Sequence, residues 1–442
     1  MIQKRDQRYG TTNYRYDPTG RLEQAAGPGL PSEVFRWDAA ANLVSSDHPG
    51  GYVEHNRLKM FEDKRFEYDV YGRLVRKLSG HGPAKELVLE YDDWNQLKAV
   101  VRKDRLGIGT THFEYDAFGR RIRKFNGSYA STDFRWGGMR LVQETYHDRQ
   151  GEEALTYLYE ANSYVPLARI DQGKPAANDA DARDAVYYFH NDVSGLPEEL
   201  TDAGGELVWQ ARYKVWGNVV QEEWIAPVRH QPALAWGEVR AVIESPDHVP
   251  RPQNLRFQGQ YLDRETGLHY NTFRFYDPDI GRFISPDPIG LNGGRNLYRY
   301  TPNPLVWIDP WGWACGELSA KAREVHSLAR DDFALRNSTV AIVEAKVGDK
   351  TELFASASGG KVTPAQREAL ERLGVPKENI FWGAKAVNGY ERIENHAERI
   401  ILRNLPDGSE VTRWGISWGG LQRNASCIYC QPHVDEAGGI FD

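Results

Sequence analysis

One short unit recurs along the first quarter of the chain and limits its fold more than any other feature. Tyr14-Arg15-Tyr16-Asp17-Pro18-Thr19-Gly20-Arg21-Leu22 returns as Phe66-Glu67-Tyr68-Asp69-Val70-Tyr71-Gly72-Arg73-Leu74, and again as Phe113-Glu114-Tyr115-Asp116-Ala117-Phe118-Gly119-Arg120-Arg121. Looser copies are Phe35-Arg36-Trp37-Asp38 with Asn42-Leu43, and Glu90-Tyr91-Asp92 with Asn95-Gln96-Leu97. The aromatic-Asp pairs therefore open at Tyr16, Trp37, Tyr68, Tyr91 and Tyr115, a nearly regular spacing. Each copy reads as a strand that ends at the aromatic, a tight turn and a return strand. Asp opens the turn through its side-chain oxygen, and Gly or Asn takes the position of positive φ. Aromatic and charged residues alternate on both arms, as suits a sheet with one buried face. A lone hairpin cannot bury that face, so neighbouring units must stack.

Composition agrees with a chain rich in strands and turns. It has 23 Tyr, 13 Trp, 42 Gly and 23 Pro in 442 residues, enough for two or three domains. The formal net charge of −7 argues against a DNA-coating protein. No window holds the ~18 uncharged apolar residues of a membrane-spanning helix, so no membrane segment is expected. The start, Met1 to Asp17, has no apolar stretch behind its basic residues, and no secretory signal is read there. The three cysteines are too few for a disulfide framework. Cys315, Cys427 and Cys430 all fall after Ala314, a clustering that points to metal or redox chemistry.

The unit resembles the YD repeat of the Rhs and teneurin-like proteins. That resemblance implies a mainly β shell, with stacked β-hairpins in a spiralling sheet. Residues 257–312 resemble the end of the Rhs core, including Gly281-Arg282-Phe283-Ile284-Ser285-Pro286-Asp287-Pro288-Ile289-Gly290-Leu291 and Asn296-Leu297-Tyr298-Arg299-Tyr300-Thr301-Pro302-Asn303-Pro304. The expected organisation is a repeat shell over 1–256, a core end over 257–313 and a C-terminal toxin domain over 314–442. The array also looks like only part of a longer one. The stretch 1–313 is short for closing a shell, and any spike-binding region would precede it.

Beyond Gly312 the pairs stop and helical patterns begin. Residues 319–329 and 363–373 carry a helical apolar period, the second with Thr363 as N-cap, Pro364 at the first helical position and Gly374 as the stop. Residues 339–345 and 352–356 read as paired strands about Gly348-Asp349, and 413–418 as a third. A compact α/β domain follows from that pattern.

Two Asp-Pro-x-Gly motifs, Asp287–Gly290 and Asp309–Gly312, bracket the close of the repeat region. Both suit plain β-turns. In Rhs proteins such a pair resembles an aspartyl autoprotease, which implies that Asp287 and Asp309 share a proton and cut the Trp313–Ala314 bond. The family usually has Leu before the cut, and this chain has Trp313.

The sharpest chemical signal is His396-Ala397-Glu398, followed further along by Cys427-Ile428-Tyr429-Cys430. This order and spacing match the H-x-E…C-x-x-C pattern of zinc nucleobase deaminases. It resembles the polymorphic-toxin branch of that superfamily, a three-layer α-β-α deaminase fold. His396, Cys427 and Cys430 would hold Zn2+ with a fourth position open to water, and Glu398 would shuttle the proton. Ile393, Ala397, Ile400 and Ile401 give one apolar helical face, while Ser426 stands where many deaminases have Pro. Two alternatives stay open. A closed site of His396, Cys427, Cys430 and His433 leaves Glu398 unexplained, and a redox pair leaves both His396 and Glu398 idle. Cys315 reads as a free thiol, and His326 as an ordinary histidine.

Residues 314–442 hold 16 Lys and Arg against 18 Asp and Glu, a net charge of −2 that disfavours nonspecific duplex binding. A single strand read by stacking on Trp382, Tyr390, Trp414, Trp418 or Tyr429 fits better, although core packing explains most of these rings equally. Resemblance favours cytosine in single-stranded or transiently opened DNA, with RNA, adenine and free nucleotides as alternatives. It further implies an interbacterial effector made in the producer's cytoplasm, delivered by a contractile secretion apparatus through a spike or adaptor, active in the target cytoplasm and blocked by a cognate immunity protein. The competing classes are a non-catalytic, zinc-stabilised YD-repeat binding protein and a nuclease toxin.

Overall fold

A computed structural model describes residues 2–44, 52–80, 85–127, 130–149, 151–160, 163–173, 184–225, 228–232, 239–243, 250–301, 303–305, 307–313, 322, 325, 339–348, 350–357, 362–382, 397–418 and 440–441. The chain divides into two compact units, Met1–Pro288 with Asn296–Trp313, and Ile289–Arg295 with Ala314–Asp442.

In the first unit the repeat forms as its residues dictate. Asp116 Oδ1 accepts from the N–H groups of Phe118 and Arg120 at 2.9 and 3.0 Å, and Gly119 takes φ +78°. Arg120 Nε returns to Asp116 Oδ2 at 2.7 Å, while its Nη1 reaches Gly138 O of the next turn at 2.7 Å. The aromatic ties the unit backward. Tyr91 Oη donates to Leu74 O at 2.9 Å, Tyr115 Oη to Leu97 O at 2.8 Å, and Trp37 Nε1 to Leu22 O at 2.8 Å. A register shift just before the aromatic, as at Glu114/Tyr115, turns its ring toward that carbonyl. Each unit is thus pinned to both neighbours by side chains as well as by the ladder. In the copy at Asp38 the left-handed residue is Ala41 (φ +59°), not the expected Asn42, which instead stands in for the arginine and donates to Asp38 Oδ2 at 2.8 Å.

Fifteen strands from Met60–Phe61 to Val219–Trp224 follow one another, among the described residues, in strict chain order in one antiparallel sheet. A first sheet of four strands, Gln3–Asp6 to Glu33–Val34, meets the far end of that long sheet through Lys4–Glu198, Arg8–Glu199 and Tyr9–Gln210. Residues from the expected core end pack into the same core as the array. The four short strands Tyr261–Asp263, Leu268–Asn271, Arg274–Asp277 and Arg282–Phe283 are buried at every position. Tyr261, Tyr270, Phe275 and Phe283 join Leu74, Leu97, Phe113 and Leu155 in one apolar cluster. Buried charges fix the segment in place. Arg121 Nη1 meets Asp263 Oδ2 at 2.6 Å beneath the rings of Tyr270 and Phe134, and Lys77 Nζ meets Asp277 Oδ2 at 2.7 Å. Removing one member of such a pair strands the other and costs about 3–5 kcal/mol.

The second unit holds a five-stranded mixed sheet in the order Ile380–Trp382, Lys350–Ala357, Thr339–Val347, Glu410–Trp418, Ile440–Phe441. Two helices pack on opposite faces, as the period-2 pattern of the central strand requires. Helix α1 (Pro364–Arg372) starts in a capping box of Thr363 and Gln366, and Gly374 follows it at φ +92°. Its Ala369 and Leu370 pack on Val340, Ile342, Ala355 and Ala357, joined by Ala322 and Val325 from the expected 319–329 helix. Helix α2 (Ala397–Asn404) sets Ala397 and Ile401 on Ala341, Val343, Phe354 and Trp414.

Candidate functional site

The strand Arg274–Asp277 carries a fully buried arginine onto which both Asp-Pro-x-Gly motifs converge. Arg274 Nη2 lies 2.9 Å from Asp287 Oδ2 and 3.5 Å from Asp309 Oδ2, and all three side chains are buried. The two carboxylates expected to work together are therefore held against one guanidinium. Its face lies 3.6 Å from the centre of the Phe283 ring, and its Nη1 donates to Leu297 O at 3.0 Å.

The two acids differ in their surroundings. Burial pushes the Asp309 carboxyl up to about 8, with the Asp287 charge adding to the rise. The Arg274 charge and the N–H groups of Trp311 and Gly312 oppose it. Asp309 Oδ2 faces the guanidinium at 3.5 Å and accepts no hydrogen bond among the described residues. Burial also lowers Arg274 from the usual guanidinium range, against the pull of both carboxylates.

The segment after Asp309 lies on the turn between the strands Leu268–Asn271 and Arg274–Asp277. Asn271 Nδ2 donates to Asp309 O at 2.8 Å, the Phe273 N–H to Trp311 O at 3.0 Å, and Arg274 Nε to Gly312 O. Gly312 has φ +70°, and a Cβ there would stand 2.5 Å from Asn271 O, so the motif's glycine is needed twice over. Arg274, Asn271 and Phe273 were not legible as site residues. In the sequence they are three residues of a long aromatic-rich stretch, and only the fold brings them to the aspartates.

For the deaminase-type set the structure describes one element. Ala397 opens α2 and Glu398 follows in its first turn, while Ser356 Oγ donates to Ala397 O at 2.5 Å. His396, Cys427, Cys430, His433 and Cys315 lie outside the described residues, as do His326, Tyr390 and Tyr429. Among the described residues no group of three or more His, Cys, Asp or Glu could hold a metal ion. Trp414 is fully buried and belongs to the core, whereas Trp382 is half-exposed with the Arg367 guanidinium 4.9 Å from its ring centre.

Comparison with known proteins matches residues 321–432 to the bacterial deaminase MsddA-like domain and residues 186–223 to the RHS protein family. The chain is 41% identical over 333 residues to double-stranded DNA deaminase toxin A of Burkholderia cenocepacia, covering 71% of this chain and 22% of that protein. It thus spans about a fifth of that relative's length. It is 34% identical to YibJ of Escherichia coli over 190 residues, 43% of this chain and 70% of YibJ. A crystal structure of TcdB2–TccC3 superimposes with a TM-score of 0.42 at 16% identity, over 70% of this chain and 18% of that one.

Proposed function

Because the chain belongs to the Rhs family and carries an MsddA-like bacterial deaminase domain over residues 321–432, we propose that it is an Rhs-type effector that cuts itself after Trp313 and whose residues 314–442 then deaminate a nucleobase, cytosine in DNA. What carries the reading is that one deaminase-matched stretch contains His396, Glu398, Cys427 and Cys430 together, with Glu398 in the first turn of α2. The name of the Burkholderia relative supports DNA as the polymer. The net charge of −2 over 314–442 favours a strand bound by stacking over one held by its phosphates. Helices on both faces of a mixed sheet suit a three-layer deaminase fold.

One imidazole and two thiolates form a donor set that fits zinc and leaves a place for water. His396, Cys427 and Cys430 would hold the ion, which when bound supplies a water that loses its proton near neutrality. Glu398 takes that proton, passes it to the ring nitrogen, and then assists the amine to leave. One water enters and one ammonia departs, so the amino-bearing carbon ends as a carbonyl.

At the junction, Asp287 acts as the base on a water and Asp309 as the acid. The hydroxyl joins the Trp313 carbonyl carbon, the C–N bond breaks, and the proton goes to the Ala314 nitrogen. The array shields the producer from the activity, a contractile apparatus delivers it to the target cytoplasm, and an immunity protein covers the pocket.

Sequencing DNA and RNA from cells expressing the chain, beside its Glu398→Ala variant, tests the deaminase. C-to-T changes in DNA that vanish in the variant are expected. Changes confined to RNA would move the substrate, and zinc-loaded protein with no base conversion in either polymer or in free nucleotides would favour the non-catalytic binding protein.

A further inference from the structure

We infer that Phe273 is the positioning residue that fixes which bond is cut, by holding the Trp313 ring as a flat side chain ahead of the scissile peptide. The inference rests on the self-cleavage reading above. The Trp313 ring is stacked on Phe273 with centres 4.5 Å apart and planes at 22°. Trp311 closes the slot edge-on, 6.1 Å from Trp313 at 88°, and its own Nε1 is tied to Tyr164 Oη. Phe273 is itself backed by the turn of the third repeat, because a Cβ at Gly119 would lie 3.2 Å from its ring.

The backbone contacts give the stack its consequence. The carbonyls of Trp311 and Gly312 are already engaged by Phe273 N–H and Arg274 Nε. The next carbonyl along the chain is that of Trp313, and its direction depends on the two backbone torsions of that residue. Pinning the ring fixes the first of these, because Cβ turns with rotation about N–Cα, and so it sets the direction of the Cα–C bond that carries the Trp313 carbonyl. A flat aromatic slot also explains why Trp serves here in place of the family's usual Leu: its larger face makes the fuller contact with Phe273.

The test uses the full chain made in a cell-free system, with intact mass and N-terminal sequencing of the products over time. Wild type is expected to give one new N-terminus, Ala314. Phe273→Ala is expected to be cut roughly five- to tenfold more slowly, the worth of one aromatic pair, with new termini at neighbouring bonds. Phe273→Tyr should restore both rate and register, a rescue that general loosening of the fold would not give. Should Phe273→Ala fail to fold, Phe273→Leu keeps the bulk but not the stack and carries the same expectation. Cutting of either variant at the wild-type rate and only before Ala314 overturns the inference and leaves self-cleavage standing. An uncut wild-type chain overturns self-cleavage, and this inference with it.

Discussion

Asp309 has a proton affinity unlike that of any carboxyl in water, and the consequence can be worked out with its sign. Its folded-state value lies near 8, above the 3.8 of a free carboxyl. The folded chain therefore binds this proton more tightly than the unfolded chain does. The stabilisation is full below about pH 4 and is lost steadily as pH climbs to about 8. Asparagine resembles the protonated acid at every pH. Asp309→Asn should thus match wild type in the melting of the first unit near pH 4 and exceed it at pH 8–9. A parallel pair of stability curves would refute the assignment. In the proposed self-cleavage the same proton is the acid, so the cutting rate should fall as pH passes about 8, while Asp309→Asn stays uncut throughout. Both aspartates were legible from their motifs. The rise at Asp309 was not, because it comes from burial and from the charges of Arg274 and Asp287, and none of these is adjacent in sequence.

The hairpin unit shows how little of a turn must be spelled out for it to form. Five copies are readable, yet the ladder continues through turns with much weaker signals. Asp192–Gly195 and Asp202–Gly205 keep the acid and the glycine, and Lys214–Gly217 keeps only the glycine, with Lys214 N–H still donating to Asn218 O at 2.8 Å. The full motif matters for stability rather than for topology. In a complete copy Asp116 accepts from two backbone N–H groups and from Arg120, and Arg120 then reaches the following turn. Asp116→Ala should cost about 1–3 kcal/mol, read as a lower urea midpoint of the first unit. The corresponding change at Lys214, which has no such carboxylate, should cost far less. Equal losses at the two sites would mean that the carboxylate is not what holds these turns. In the second unit the helix 363–373 was legible to within a residue because its cap and stop are local signals. The order of the sheet was not, because the parallel pairing of Ile380–Trp382 with Lys350–Ala357 leaves no local trace.

At the scale of the molecule the two units have separate cores, and this separation has a thermodynamic reading. Among the described residues, the large cluster around Leu155 and Trp209 draws on residues up to Leu305, while those around Ile342 and Val343 draw on residues from Ala322 onward. Since these cores share no apolar residue among the described residues, each should melt by its own cooperative transition. Calorimetry of the Glu398→Ala, Asp309→Asn chain, which on the proposed reading neither edits nor cuts, should therefore give two transitions. Leu155→Ala should lower one of them and Ile342→Ala the other, each by about 2–5 kcal/mol, and a zinc chelator should lower only the transition that Ile342→Ala lowers. A single transition moved by both substitutions would mean that the C-terminal domain depends on the array for its fold. That outcome would count against the proposed function at its root, because a domain that must act after the bond beside Trp313 is broken has to stay folded once the array no longer holds its end.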